Sequence, residues 1–197
     1  MSSPFAAVLL AGGRSTRMKQ DKALLHWHEQ ALWQVQLHKL LSLGAERVLL
    51  SCRSEQALLV NDGVEIIHDP AGVDDGPLGA ITRCLECVQM PLLVLAVDMP
   101  WMTAAFLREQ LSEHENPDQG WFFCGSYGAE ALAGMYVPAM LPHMRQALSE
   151  KNLKLQHVIK ACVHNGSALT HEMSSDQAAL FHNVNTPADL NGLSALP

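Results

Sequence analysis

A glycine pair followed by three basic residues lies close to the start of the chain. Arg14, Arg17 and Lys22 come within nine residues of Gly13, and Gly12 precedes it. Glycines let a loop turn sharply and bring its backbone N–H groups close to a ligand. Clustered cations neutralise phosphate oxygens, which must happen before a phosphorus atom can be attacked. The pattern therefore predicts a loop that holds a triphosphate.

This loop spans residues 10–18 and begins with Leu10 and Ala11. It contains neither the Gly-x-x-x-x-Gly-Lys-Ser/Thr pattern nor the Gly-x-Gly-x-x-Gly pattern, which argues against a P-loop NTPase and a nicotinamide dehydrogenase. The alternative is a generic glycine turn with solvated basic side chains. Two arginines and the adjoining Asp21-Lys22 pair favour the phosphate-binding interpretation.

Two aspartates and a serine follow apolar segments elsewhere in the chain. Asp98 ends the most apolar segment, residues 91–97, while Asp69 and Ser51 end two shorter ones. A carboxylate at the mouth of a ligand crevice provides the hard oxygen that Mg²⁺ prefers. Asp98 is therefore a candidate metal ligand, with a helix or turn cap before Pro100 as the alternative.

Hydrophobic periodicity and turn residues predict alternating strands and helices. The predicted strands are residues 6–10, 47–51, 64–67, 91–97, 121–124, 131–136 and 181–184. The predicted helices are residues 32–43, 78–88, 103–113, 138–149, 153–160 and 187–193, with Thr103 and Thr186 as N-caps. Alternation of this kind favours an α/β fold: one three-layer, Rossmann-like domain with a mostly parallel sheet. Ligands of such sheets bind at the carboxyl ends of the strands, where the glycine loop, Ser51, Asp69 and Asp98 all fall.

Composition limits the classes of function. The chain has 197 residues, 48% of them hydrophobic, and a formal net charge of −7. That length suits one domain over residues 1–197, and the acidic balance argues against nonspecific binding of nucleic acid. We found neither a signal peptide nor an apolar stretch near the roughly 20 residues of a membrane span. We therefore expect a cytoplasmic protein with no membrane partner, whose five cysteines are reduced thiols.

Residues 10–25 resemble the signature of the molybdenum cofactor guanylyltransferases, a family within a larger nucleotidyltransferase superfamily. The matching pattern is Leu-Ala-Gly-Gly-x-Ser-x-Arg-Met-x-x-Asp-Lys-Ala-Leu-Leu. Residues 76–81 are similar to the family's Gly-Pro-Leu segment, and residues 97–100 to its Asp-x-Pro element. Residues 183–190 are similar to its closing Asn-x-Asn-Thr-Pro motif. The likeness is weak between about residues 121 and 169.

The resemblance implies that GMP is transferred from GTP to the terminal phosphate of the molybdopterin form of the molybdenum cofactor. It implies Mg²⁺ on Asp98, triphosphate binding by Arg17 and Lys22, and nucleotide contacts from Leu10, Ala11, Gly12, Gly13, Ser51 and Asp69. For Asp69 a plain turn is an equal alternative. Residues 1–100 would bind the nucleotide and residues 101–197 the acceptor. Proteins that mature molybdoenzymes are a further class of partner.

Gly13 points to guanine, because guanylyltransferases resemble Leu-Ala-Gly-Gly whereas cytidylyl relatives more often carry Leu-Ala-Ala-Gly. The chain departs from the family at Lys19, where glycine is usual, and at Ser51, where asparagine is frequent. Two rivals stay open: a cytidylyl or sugar-phosphate nucleotidyltransferase, and a nucleotide-binding protein without catalysis. The Cys84-x-x-Cys87 spacing lies in a predicted helix without a second pair, which favours packing over a metal or redox site.

Overall fold

The computed structural model describes residues 3–13, 21–27, 29–60, 62–184 and 189, and all structural statements concern these residues. In chain order the strands are β1 (Ala6–Leu10), β2 (His26–Trp27), β3 (Gln30–Ala31), β4 (Arg47–Arg53), β5 (Val64–Asp69), β6 (Leu92–Ala96), β7 (Gly120–Gly125), β8 (Gly128–Ala129), β9 (Ala133–Tyr136) and β10 (Ala168–Glu172). The α-helices are α1 (Leu32–Leu41), α2 (Gly76–Val88), α3 (Ala104–Glu113), α4 (Leu141–Ser149), α5 (Leu155–His164) and α6 (Ser175–Ala178). Short 3₁₀ helices cover Lys22–Leu24, Pro138–Met140 and Ala179–Phe181.

The main sheet has the strand order β10-β7-β9-β6-β1-β4-β5, with β8 paired to β7. β1 is parallel to β4 and β6, β4 to β5, and β7 to β10, whereas β9 is antiparallel to both β6 and β7. Strands β2 and β3 form a separate hairpin. The predicted α/β fold with a mostly parallel sheet is confirmed.

Helices cover both faces of this sheet. The connection from β1 to β4 crosses the sheet in one direction, and the connection from β5 to β6 crosses it in the other. Because such crossovers are right-handed, α1 and α2 lie on opposite faces, which makes three layers. The central strands β1 and β6 are therefore covered on both sides, and this explains why their sequences are continuously apolar instead of alternating.

Local signals place two helix starts near the site. The Thr103 hydroxyl accepts a hydrogen bond from the Phe106 N–H at 3.1 Å, so Thr103 caps α3 as predicted. Helix α2 begins at Gly76, two residues earlier than predicted, because Pro77 is accommodated in the first turn, where its missing N–H is not needed.

Several predictions of secondary structure differ from the structure. The predicted strand 181–184 is wrong, since Phe181 ends a 3₁₀ helix and residues 182–184 are irregular. A strand over Ala168–Glu172 was missed, because this edge strand mixes buried and exposed positions and carries few apolar residues. The predicted helix 153–160 begins at Leu155 and continues to His164. The predicted helix 187–193, with its cap Thr186, falls almost entirely outside the described residues.

The core is continuous from β1 and β6 to the strands at β7 and β9, where Trp121, Phe122 and Tyr136 are its largest fully buried side chains. In the described part of the chain, no helix is both long and apolar enough to span a membrane.

Candidate functional site

A cleft of about 730 Å³ opens at the carboxyl edge of the parallel strands. It is lined by the loop after β1, the ends of β4, β5 and β6, and the first turns of α2. Eight residues selected from the sequence line it together: Leu10, Ala11, Gly12, Gly13, Lys22, Ser51, Asp69 and Asp98. The ninth, Arg17, lies outside the described residues, as do Arg14 and Lys19.

An ion pair in this cleft joins Lys22, which follows the glycine loop, to Asp98, which follows β6. The Nζ atom of Lys22 lies 3.1 Å from Oδ2 of Asp98, with 18% and 23% of the two side chains exposed. Lys22 begins a 3₁₀ turn in which the Asp21 carboxylate accepts a hydrogen bond from the Ala23 N–H at 3.0 Å. The Asp98 carbonyl accepts a hydrogen bond from the Val184 N–H at 2.8 Å. Asp98 thus contacts both Lys22, which follows the glycine loop, and Val184 of the motif at residues 183–190.

Arg53, at the end of β4, holds the glycine loop and was not predicted. Its guanidinium donates to the carbonyl oxygens of Gly12 and Gly13 at 2.8 and 2.9 Å, and to Oδ2 of Asp21 at 3.0 Å. The Gln56 amide donates to the Ala11 carbonyl at 3.0 Å and to the same Asp21 oxygen at 2.6 Å. The carbonyl oxygens of residues 11–13 are therefore bound by protein donors. Position alone could have suggested Arg53, since it ends a strand at the ligand edge.

Asp69 lies against the glycine loop and is held by a residue of α2. The Arg83 guanidinium donates to Oδ1 of Asp69. A Cβ atom placed on Gly12 would lie only 2.5 Å from Oδ2 of Asp69 and 3.6 Å from the backbone nitrogen of Arg53. Gly12 must therefore lack a side chain for Asp69 to sit where it does. Arg83 also lines the cleft, and the helical pattern of α2 did not single it out.

Ser51 lies on the cleft wall but is only 1% exposed. Its carbonyl accepts a hydrogen bond from the Ala11 N–H at 2.8 Å, which fixes the start of the glycine loop. Its side chain lies beside the Cys84 thiol of α2. Burial raises the pKa of that thiol to about 12, although Arg83 and Ser51 lower it in part. The structure thus gives Ser51 a role in packing α2 against the loop.

The two cysteines of α2, Cys84 and Cys87, lie in different environments. Cys84 is buried, whereas Cys87 is exposed and its sulfur accepts a hydrogen bond from Arg47 at 3.3 Å.

Among the residues that the structure describes, no group of three or more His, Cys, Asp or Glu side chains could hold a metal ion. A metal ion at Asp98 would then take its other ligands from substrate phosphates and water. That donor set fits Mg²⁺, which commonly binds one or two carboxylates together with phosphate oxygens.

Three comparisons relate the sequence and the fold to those of known proteins. Residues 7–166 match the family described as the MobA-like NTP transferase domain. A molybdenum cofactor guanylyltransferase from Xanthomonas euvesicatoria pv. vesicatoria is 32% identical over 196 residues, covering 95% of this chain and 93% of the relative.

Two solved structures are similar in fold. Molybdopterin-guanine dinucleotide biosynthesis protein A from Archaeoglobus fulgidus superposes with a TM-score of 0.72 at 19% identity, covering 94% of this chain and 95% of the other. A Mycobacterium tuberculosis protein solved as a manganese complex has a TM-score of 0.58 at 16% identity, covering 87% of this chain and 90% of the other. The family match and the sequence relative confirm the resemblance predicted from residues 10–25. The chain therefore belongs to the family of MobA-like NTP transferase domains.

Proposed function

We propose that this nucleotidyltransferase transfers GMP from GTP to the terminal phosphate of molybdopterin-form molybdenum cofactor, giving the guanine dinucleotide cofactor and pyrophosphate. One observation carries the proposal. Eight residues chosen for nucleotide chemistry line a single cleft, with the Lys22–Asp98 pair across it. The chain's family and its relative named a molybdenum cofactor guanylyltransferase support the same reaction class.

The glycine loop and Lys22 bind the triphosphate in this proposal. Arg53 and Gln56 bind the carbonyl oxygens of residues 11–13, so this part of the loop keeps one shape in which the N–H groups of Gly12 and Gly13 can serve the ligand. Lys22 supplies a positive charge close to Asp98, and Arg17 supplies a second one from the adjoining segment. Preorganised donors of this kind stabilise the charge that develops on phosphate oxygens.

Asp98 holds Mg²⁺ in this proposal. A bound divalent ion would neutralise charge on the triphosphate and on the departing pyrophosphate. The single carboxylate leaves room for phosphate and water ligands, and a structural relative was solved as a manganese complex. Lys22 would stay beside Asp98 and share the same phosphate oxygens.

The acceptor phosphate is the nucleophile. Its oxygen forms a bond to the α-phosphorus, the bond between the α-phosphorus and the β-phosphate oxygen breaks, and the electron pair leaves with pyrophosphate. An ionised phosphate needs no proton removed before it attacks, so the protein contributes position and charge in place of a general base. We assign the acceptor side to residues 101–197, from which Leu132 reaches the cleft.

Asp69 recognises the guanine base in this proposal. Its carboxylate is held beside Gly12 by Arg83 and can only accept hydrogen bonds while ionised. Guanine presents two adjacent donors, N1–H and the N2 amino group, whereas cytosine presents one amino group on its pairing edge. A fixed carboxylate therefore favours guanine over cytosine.

The test compares GTP, CTP and UTP as substrates of the purified protein with molybdopterin and Mg²⁺. We expect pyrophosphate and a guanine dinucleotide product from GTP alone. Turnover of CTP without turnover of GTP would instead assign a cytidylyltransferase. Binding of GTP without release of pyrophosphate would assign a nucleotide-binding protein. Delivery of the product to a molybdoenzyme-maturation protein and a location in the cytoplasm remain predictions.

A further inference from the structure

A buried glutamine of α1 contacts the chain segment that carries Asp98. Gln36 is fully buried, and its amide Nε2 donates to the Ala96 carbonyl at 3.2 Å and to the Met99 carbonyl at 2.7 Å. The two acceptors lie two residues before and one residue after Asp98. Gln36 therefore spans the turn from which the Asp98 side chain projects.

A lysine one turn along α1 extends this contact. The Nζ atom of Lys39 donates to Oε1 of Gln36 at 2.5 Å and to the Pro100 carbonyl at 2.7 Å. It also lies 5.6 Å from the centre of the Trp27 ring, a distance at which a cation is attracted to the aromatic face. Burial lowers the pKa of Lys39 to about 8.

Such an arrangement is costly for a site that only needs packing. A buried amide and a partly buried ammonium lose hydration, which their hydrogen bonds must offset. Apolar side chains would avoid that cost, but they would leave backbone carbonyls without these donors. The carbonyls of residues 96, 99 and 100, which flank Asp98 in the chain, are each bound by a side chain from α1.

We propose that Gln36 and Lys39 are positioning residues, which set the direction of the Asp98 carboxylate and so tune its affinity for the metal–triphosphate complex. The inference rests on the proposed function of Asp98. Neither residue lines the cleft, so both act through the backbone of residues 96–100. Lys22 contacts the Asp98 carboxylate and Val184 contacts the Asp98 carbonyl. Within the turn the Met99 N–H also donates to the Ala96 carbonyl at 3.4 Å, so Gln36 and Lys39 add the side-chain contacts to this backbone.

Gln36→Met tests the inference, because methionine keeps the unbranched chain and removes both donors. Gln110→Met is the matched control, since Gln110 is a buried glutamine on α3 whose side chain forms no hydrogen bond with residues 96–100. Binding of Mn²⁺ to the protein is measured by the loss of the free-ion electron paramagnetic resonance signal beyond the loss that the same concentration of GTP causes without protein. Melting temperatures of all variants are recorded beside it.

We expect Gln36→Met to weaken Mn²⁺ binding about tenfold or more, which corresponds to the loss of one or two net hydrogen bonds. It should also raise the Mg²⁺ concentration needed for half-maximal turnover more than it lowers kcat at saturating Mg²⁺. The control should bind Mn²⁺ as the wild type does. Lys39→Met, which removes a buried charge and should fold readily, is expected to show a smaller loss in the same direction.

Wild-type affinity for Mn²⁺ in Gln36→Met and Lys39→Met, whatever their melting temperatures, would overturn the inference and leave the proposed function standing. If Gln36→Met fails to fold, the result for Lys39→Met decides the question by itself. Failure of the wild-type protein to bind Mn²⁺ with GTP would overturn the metal assignment of Asp98 and this inference together.

Discussion

The Nζ atom of Lys22 lies 3.1 Å from Oδ2 of Asp98, although 76 residues separate them in the chain. The contact lies in the wall of the cleft and joins the 3₁₀ turn at Lys22–Leu24 to the residue that follows Val97 after β6. Both side chains are partly exposed, so the pair adds little to the free energy of unfolding. In the proposed function the pair would bring a cation and a metal-binding carboxylate to the same phosphate groups.

Replacement of the carboxylate tests the metal site. We expect Asp98→Asn to lower Mg²⁺-dependent turnover by about 100-fold or more, because a neutral amide is a poor ligand for a hard cation and several kcal/mol of charge stabilisation is lost. Turnover is measured as pyrophosphate release, and the melting temperature reports folding. Asp118→Asn, in an exposed loop, serves as the control. Near-normal turnover of Asp98→Asn would show that the metal binds elsewhere.

Removal of the partner cation should affect nucleotide binding more than folding. Lys22→Met is expected to weaken GTP binding about tenfold or more, because one charge-assisted contact to the triphosphate disappears. Titration of GTP by calorimetry measures the change. Lys160→Met, on the exposed face of α5, should bind GTP normally. Equal affinities of Lys22→Met and the wild type would contradict the assignment of Lys22 to the triphosphate.

A methyl group on Gly12 should displace the Asp69 carboxylate. Its Cβ would lie 2.5 Å from Oδ2 of Asp69, so Asp69 must move and its ion pair with Arg83 must change. Overpacking of this size should lower the free energy of unfolding of Gly12→Ala by about 1–3 kcal/mol, and the displaced Asp69 should weaken GTP binding. Gly13→Ala is the comparison, because a Cβ there meets no heavy atom within 4 Å and its effect should be smaller. Equal losses in the two variants would argue against the contact with Asp69.

The lowered pKa of Lys39 predicts how the free energy of unfolding depends on pH. Its pKa is lowered by burial from 10.5 to about 8, so between these values the unfolded chain binds the proton that the folded chain has released. Stability contributed by this group therefore rises with pH from about 8 to 10.5 and is constant below 8, where both states are protonated. Urea unfolding at several pH values should show the wild type gaining stability relative to Lys39→Met above pH 8. If the free energies of unfolding of the two proteins changed with pH in the same way, the Lys39 ammonium would be solvated in the folded state.

Local patterns in the sequence determined much of the fold and the class of chemistry. Continuously apolar runs identified strands β1, β4 and β6, because strands covered on both faces lack alternating polar positions. Edge strand β5 was predicted from residues 64–67, which end at a polar turn. The rule that ligands bind at the carboxyl ends of parallel strands then groups the glycine loop, Ser51, Asp69 and Asp98 from the sequence. Edge strand β10 escaped detection, because a half-exposed strand lacks that signal.

Tertiary structure decided which partners these residues have. Arg53 on the loop carbonyls, Arg83 on Asp69, and Gln36 with Lys39 around Asp98 join segments that lie 14 to 63 residues apart. No local periodicity marks such pairs, because they arise only when strands align and helices pack on the sheet. The sequence by itself thus identified eight of the residues that line the cleft. Packing decided how each group is held and in which direction it faces, since long-range contacts fix side-chain orientation.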